Sequence, residues 1–131
     1  MSSHPLEQTS PARPQSPPEW AAWYFMRLSG LLLLGMVLFH LFHTHFWQPG
    51  GVGGINYHSI AARWTDPALG FTWRLFDLLL LVLGLAHGSN GIRQMIFGAT
   101  SQAGWRAAVV GLLVLLYVGL VGIGAAIIFT I

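Results

Sequence analysis

His87 closes the apolar run LLVLGLA and is followed at once by GSNGIR. An imidazole in hydrocarbon is costly, and Gly84, Gly88 and Gly91 weaken the helix around it, so both features need a function to keep them. Projected at about 100° per residue, Trp73, Asp77, Gly84, His87, Gly88 and Gly91 fall on one helix face. Gly84 lies one turn before the histidine and Gly91 one turn after it, which clears a flat groove around the imidazole. A planar macrocycle edge-on to a helix needs that clearance. The pattern therefore suits an axial ligand offering Nε2 to a haem iron. A core histidine hydrogen-bonded to a neighbouring helix is the other reading of His87.

His40 is a second candidate ligand, deep in its own apolar segment on a face shared with Ser29, Leu33, Met36, Thr44 and Trp47. His43 and His45 lie nearer the interface beyond it, where solvation or headgroup contact suits them better. His58, between segments, and His4, in the N-terminal tail, are assigned no role. His87 is six residues from Arg93 and His40 is 13 from Arg27. These spacings put them about 9 Å and about 20 Å below one membrane boundary. A difference of about 10 Å is too large for one iron to bridge. If both are ligands, they serve two haems stacked across the membrane, each completed by another chain.

Arg27, Ser29 and Arg93 are expected to form a polar cluster at that boundary. An arginine there can hold a haem propionate or a quinone carbonyl by charge-assisted hydrogen bonds; interfacial snorkelling is the plainer alternative. Arg74 and Asp77, three residues apart on the opposite side, are expected to form a structural pair.

The elements that must position these residues are membrane helices. Of the residues 54% are hydrophobic and 8% charged, against about a quarter charged in soluble domains. With no cysteine, disulfides and thiolate ligation are excluded, which leaves histidine as the strong metal ligand. The net charge of +2, without a single lysine, is too thin for nucleic-acid binding. Residues 1–19 hold five of the seven prolines and read as a flexible tail, not as a secretory signal.

The expected fold is all-α, with three membrane helices at about residues 20–47, 71–97 and 105–131. Trp20, Trp23 and Tyr24 form an aromatic belt at one end of the first, and Phe46 and Trp47 at the other. Between the first two helices, INYHSIAARWTD is weakly amphipathic and suited to the membrane surface. Gly111, Gly119, Gly122, Gly124, Ala125 and Ala126 allow close approach of another helix to the third. Arg13, Arg27, Arg93 and Arg106 on one side outnumber Arg63 and Arg74 on the other. The positive-inside rule then places the N-terminus in the cytoplasm. A chain with so little loop mass has no evident room for a catalytic site of its own.

FMRLSGLLLLGMVLFHLF and, further on, ARWTDPALGFTWRLFDLLLLVLGLAHGSNGIRQ resemble the small hydrophobic membrane-anchor subunit of succinate dehydrogenase, respiratory complex II, most nearly the bacterial D type. The likeness covers Phe25 to about Gln94 and the three-helix plan. RLSG before an intramembrane histidine, combined with AHGSNGIR, carries it.

The resemblance implies a non-catalytic subunit of an enzyme complex in the bacterial inner (cytoplasmic) membrane. With a C-type partner anchor it would bind one or two b-type haems and fix the flavoprotein and iron–sulfur subunits to the lipid. Electrons would pass from succinate through that complex to a membrane quinone. It implies haem ligation by His87, by His40 in anchors that hold two haems, and a place near the quinone for Arg27 and Ser29. Where many members carry an Asp-Tyr pair that contacts quinone, this sequence reads Phe97, Gly98, Ala99, Thr100. That departure shifts quinone contact to partner subunits, or to Tyr24 or Arg27. Two other classes stay open: a haem-free anchor or assembly component, and a small proton-conducting subunit using His40, His43 and His45 as a relay.

Overall fold

The computed structural model describes residues 16–131, so His4, Arg13 and most of the expected tail lie outside the described residues. Three helices are long and apolar enough to cross a membrane: Pro17–Trp47, Gly70–Ala99 and Ala103–Thr130. Pro17 and Pro18 open the first, where a missing amide hydrogen costs nothing, so the helix begins before the expected Trp20. Helix α1 (Pro17–Phe42) continues into a π-helical turn, His43–Trp47, ended by Gln48 and Pro49. A left-handed backbone at Gly50 and Gly51, with φ of 79° and 55°, then turns the chain back.

A short 3₁₀ turn, Gly51–Gly54, leads into helix α2, Tyr57–Trp64. The stretch expected to lie along the surface is therefore helical. It starts on a reciprocal capping box, in which Asn56 Oδ1 accepts from the Ser59 amide and Ser59 Oγ accepts from the Asn56 amide, both at 3.0 Å. Asp66 Oδ1 accepts from the amides of Ala68 and Leu69 at 2.9 and 2.7 Å and fixes the entry to helix α3, Gly70–Ala99. Gly70 is buried against the Trp64 carbonyl, and a β-carbon there would overlap it. Gly70→Ala is expected to destabilise the α2–α3 turn by about 1–3 kcal/mol, read as a lower melting temperature of the solubilised complex. An unchanged melting temperature would show that the turn gives way freely.

Helix α4, Ala103–Thr130, follows a tight connection. The Arg106 guanidinium reaches back to the carbonyls of Phe97 and Thr100, each at 2.7 Å, and closes the C-terminal end of α3. Those carbonyls stand in the stretch where the resemblance leads one to expect an Asp-Tyr pair. In this chain the stretch is occupied in holding the turn.

Helix α3 is central and packs on both α1 and α4, which touch each other little. Ser29 with His87, His40 with Phe76 and His43 with Trp73 are in contact, and each pair of residue numbers has the same total. Helices α1 and α3 thus run antiparallel in constant register.

Of the α1 face expected to point inward, Ser29, Met36 and Thr44 are buried. Trp47 leaves that face and is 64% exposed, because the wider π turn shifts the phase of the helix. Among the described residues, Met36 and Ile128 are the buried large apolar side chains, while Leu31, Phe46, Leu115 and many like them are exposed. Such a surface is stable only against lipid or other subunits. On α4, Gly124 lies directly against Leu81, whereas Gly111, Gly119 and Gly122 face open space.

Candidate functional site

Antiparallel register brings the RLSG segment of α1 against His87. Ser29 is 4% exposed, and its Oγ lies 2.9 Å from His87 Nδ1. Ser29 Oγ also contacts the Met26 carbonyl, at 3.5 Å. The direction consistent with both contacts has Nδ1–H donating to the hydroxyl and the hydroxyl turned to the carbonyl. Nε2 then keeps its lone pair.

Gly30 completes the contact. A β-carbon at Gly30 would stand 3.2 Å from His87 Cε1, tighter than side chains ordinarily accept. Ser29 and Gly30 together fix the plane and tautomer of one imidazole. RLSG held this signal, but a helical projection of either helix alone does not show which residues meet.

The glycines of α3 divide between two neighbours. Gly91 faces Met26 on α1. Gly84 and Gly88 have nothing within 4 Å of a built β-carbon, and they line a cleft of about 220 Å³ against Leu113, Leu116, Tyr117 and Leu120 of α4. The clearance expected beside His87 is present, but on the flank of α3 that turns towards α4.

The expected polar cluster does not form. Arg27 lies over the Trp23 ring, 3.9 Å from its centroid. Ser29 is committed to His87. Arg93 donates from Nε to Asn90 Oδ1 at 2.9 Å and lines a separate cleft of about 230 Å³ with Ser89, Asn90 and Tyr117. The reason is register: His87 pairs with Ser29, so Arg93 stands level with Trp23, one turn before Arg27.

The same register corrects the depths. Eleven residues separate Ser29 from His40, and eleven separate Phe76 from His87. The two histidines are thus about 16 Å apart along the helices, further than the expected 10 Å or so. They cannot serve one metal ion. His40 is half-buried, its ring parallel to Phe76 at 6.3 Å between centroids. Among the described residues its ring nitrogens have no hydrogen-bond partner. It lines a small cleft with Thr44, Gln48 and Arg63.

The Arg74–Asp77 pair is replaced by another. Arg63 Nη2 donates to Asp77 Oδ2 at 2.6 Å and Trp64 Nε1 to the same oxygen at 2.7 Å, while Arg74 Nε reaches the Trp64 carbonyl at 3.0 Å. Helix α2 folds back over α3 and brings its own arginine to the carboxylate. Nor do His40, His43 and His45 form a hydrogen-bonded relay: His43 packs on Trp73, and His45 Nδ1 donates to the Leu41 carbonyl at 2.8 Å.

The sequence matches the model of the succinate dehydrogenase/fumarate reductase transmembrane subunit over residues 8–125. The chain belongs to that family. No curated protein matches it. A multi-pass transmembrane subunit of this kind associates in the membrane with the other subunits of succinate dehydrogenase or fumarate reductase, and its largely exposed apolar helices leave the surface to do so.

Proposed function

We propose that this subunit is a D-type, b-haem-carrying anchor of a succinate:quinone oxidoreductase in the bacterial inner membrane, with its N-terminus in the cytoplasm. Its partners would be a C-type anchor, an iron–sulfur subunit and a flavoprotein subunit. The single observation that carries the reading is the bond between Ser29 Oγ and His87 Nδ1, 2.9 Å long. A histidine serving only to join two helices needs nothing more than that bond. Here the bond is combined with a neighbouring Gly30 that leaves the ring just enough room. A ligand held by its outer nitrogen would have this arrangement, which supports the reading.

The residues fit a haem. His87 would hold the iron through Nε2, and His40, whose nitrogens are both unengaged, would hold that of a second. A partner chain would complete each site. Bound haem supplies one-electron transfer across the dry interior of the membrane. Ser29 would keep His87 in one tautomer and orient its ring. The apolar helices exclude water and so bear on the potential. Quinone contact from this chain falls to Tyr24 and Arg27, both exposed at the same end as the Ser29–His87 pair. Oxidation of succinate takes place in the partner subunits.

The reduced absorbance spectrum and haem stoichiometry of the purified complex test this reading. Two b-type haems per copy are expected, and His40→Ala should remove one signal and spare the other. One haem per copy would refute the role of His40. None would refute the haem reading altogether and leave a haem-free anchor.

A further inference from the structure

Helix α3 is longer than the hydrocarbon it crosses. Its 30 residues extend about 45 Å against a core of about 30 Å, so about five residues protrude at each end. Arg93, six residues before Ala99, therefore stands where hydrocarbon gives way to headgroups. A cleft of about 230 Å³ opens there between α3 and α4. Ser89, Asn90 and Arg93 bound it on one helix, and Val110, Val114 and Tyr117 on the other.

The polar groups of this cleft are open and unsatisfied. Arg93 spends Nε on Asn90 Oδ1 at 2.9 Å, and its Nη groups have no acceptor among the described residues. The Ser89 and Tyr117 hydroxyls have no hydrogen-bond partner among them either. None of these atoms is shut away inside the protein, as Arg63 Nε is. Unmet donors facing hydrocarbon are costly, so the molecule beside them has to bring oxygen acceptors. It also has to bring negative charge. The Arg93 and Arg106 guanidiniums lie 5.4 and 4.9 Å from the Phe97 ring centroid, and no acidic residue follows Asp77 in the chain. Arg106 has Nε and Nη2 committed to the α3–α4 turn, which leaves Arg93 as the donor.

The order of these groups along α3 identifies the occupant. A cation marks the boundary, Asn90 and Ser89 follow about 5 Å deeper, and beyond them the walls are apolar. A diacyl phospholipid has the same order: a charged phosphate, ester carbonyls, then hydrocarbon. One turn of a helix about 10 Å across fills roughly 400 Å³, so the cleft admits a lipid chain more readily than a partner helix. The cleft beside Gly84 and Gly88 shares Ser89 and Tyr117 but ends on no charge. We infer that the Arg93 cleft binds an anionic phospholipid, with its phosphate on the Arg93 Nη groups and its ester carbonyls on the Ser89 and Tyr117 hydroxyls. The inference does not depend on haem ligation.

Native mass spectrometry of the intact, delipidated complex, titrated with dioleoyl phosphatidylglycerol or dioleoyl phosphatidylcholine, tests it. One site per copy of this subunit should favour phosphatidylglycerol by about fivefold, the weight of one cation beside an anionic lipid. R93Q should abolish that preference and R93K should retain it. Tyr117→Phe should weaken both lipids alike, since both carry ester carbonyls. A wild-type complex without the preference, or R93K equal to R93Q, would overturn the inference. So would full binding by Tyr117→Phe, because an arginine that only snorkels into headgroups ignores a hydroxyl deeper in the cleft. A photoreactive benzoylphenylalanine in place of Val114, which is 56% exposed, decides between occupants in the native membrane. A crosslink to phospholipid supports the inference, and a crosslink to another subunit overturns it.

Discussion

His87→Ala is expected to abolish one b-type haem signal of the complex outright, while Ser29→Ala leaves that haem in place with weakened binding. On the proposed reading the contribution of His87 is all or none: alanine offers no donor, and the iron would lose the ligand this chain supplies. Ser29 acts on the outer nitrogen, where loss of a supporting partner typically costs about 10–100-fold in metal affinity. Ser29→Ala should also shift the midpoint potential of the haem, because Nδ1 would lose the partner 2.9 Å away that orients the ring. A purely structural histidine predicts no such ranking. Both substitutions would break the same interhelical bond, both would lower stability by about 1–3 kcal/mol, and neither would touch the spectrum. The absorbance of reduced His87→Ala and Ser29→Ala complexes, normalised to subunit content, separates the two.

The three membrane helices were readable because their signal is local. An apolar stretch longer than about 20 residues needs no tertiary context to be recognised. His87 and His40 stand out as candidates for a related reason: a histidine is conspicuous against hydrocarbon whatever packs around it. Pairing between helices was not readable. The projection of α3 places Gly84, Gly88 and Gly91 correctly near His87, but a single helix does not reveal which neighbour lies on which side. Gly91 meets α1, whereas Gly84 and Gly88 flank α4. Counting inwards from Arg27 and Arg93 assumed that the two arginines mark one depth. The Ser29–His87 contact sets the register instead, one turn away from that assumption.

The Arg63–Asp77 pair was hidden for a different reason. Its members are 14 residues apart, across a turn whose geometry depends on Asp66 capping and on Gly70 lying against the Trp64 carbonyl. Helical spacing within α3 proposes Arg74, the nearer partner in sequence. Only the return of α2 over α3 replaces it.

Asp77→Ala follows from that replacement as the largest loss of stability expected in this chain. Arg63 and Asp77 are 16% and 13% exposed, so their pair is mostly shielded from water. Removal of one member of such a pair strands the other, at a cost of about 3–5 kcal/mol, and here Trp64 Nε1 loses its acceptor as well. Asp77→Asn, which keeps an oxygen for Trp64 and Arg63, should cost distinctly less. Thermal unfolding of the solubilised complex, followed by tryptophan fluorescence because Trp64 and Trp73 adjoin the pair, gives the ranking. Equal melting temperatures for Asp77→Ala and wild type would mean that Arg63 finds water on its own.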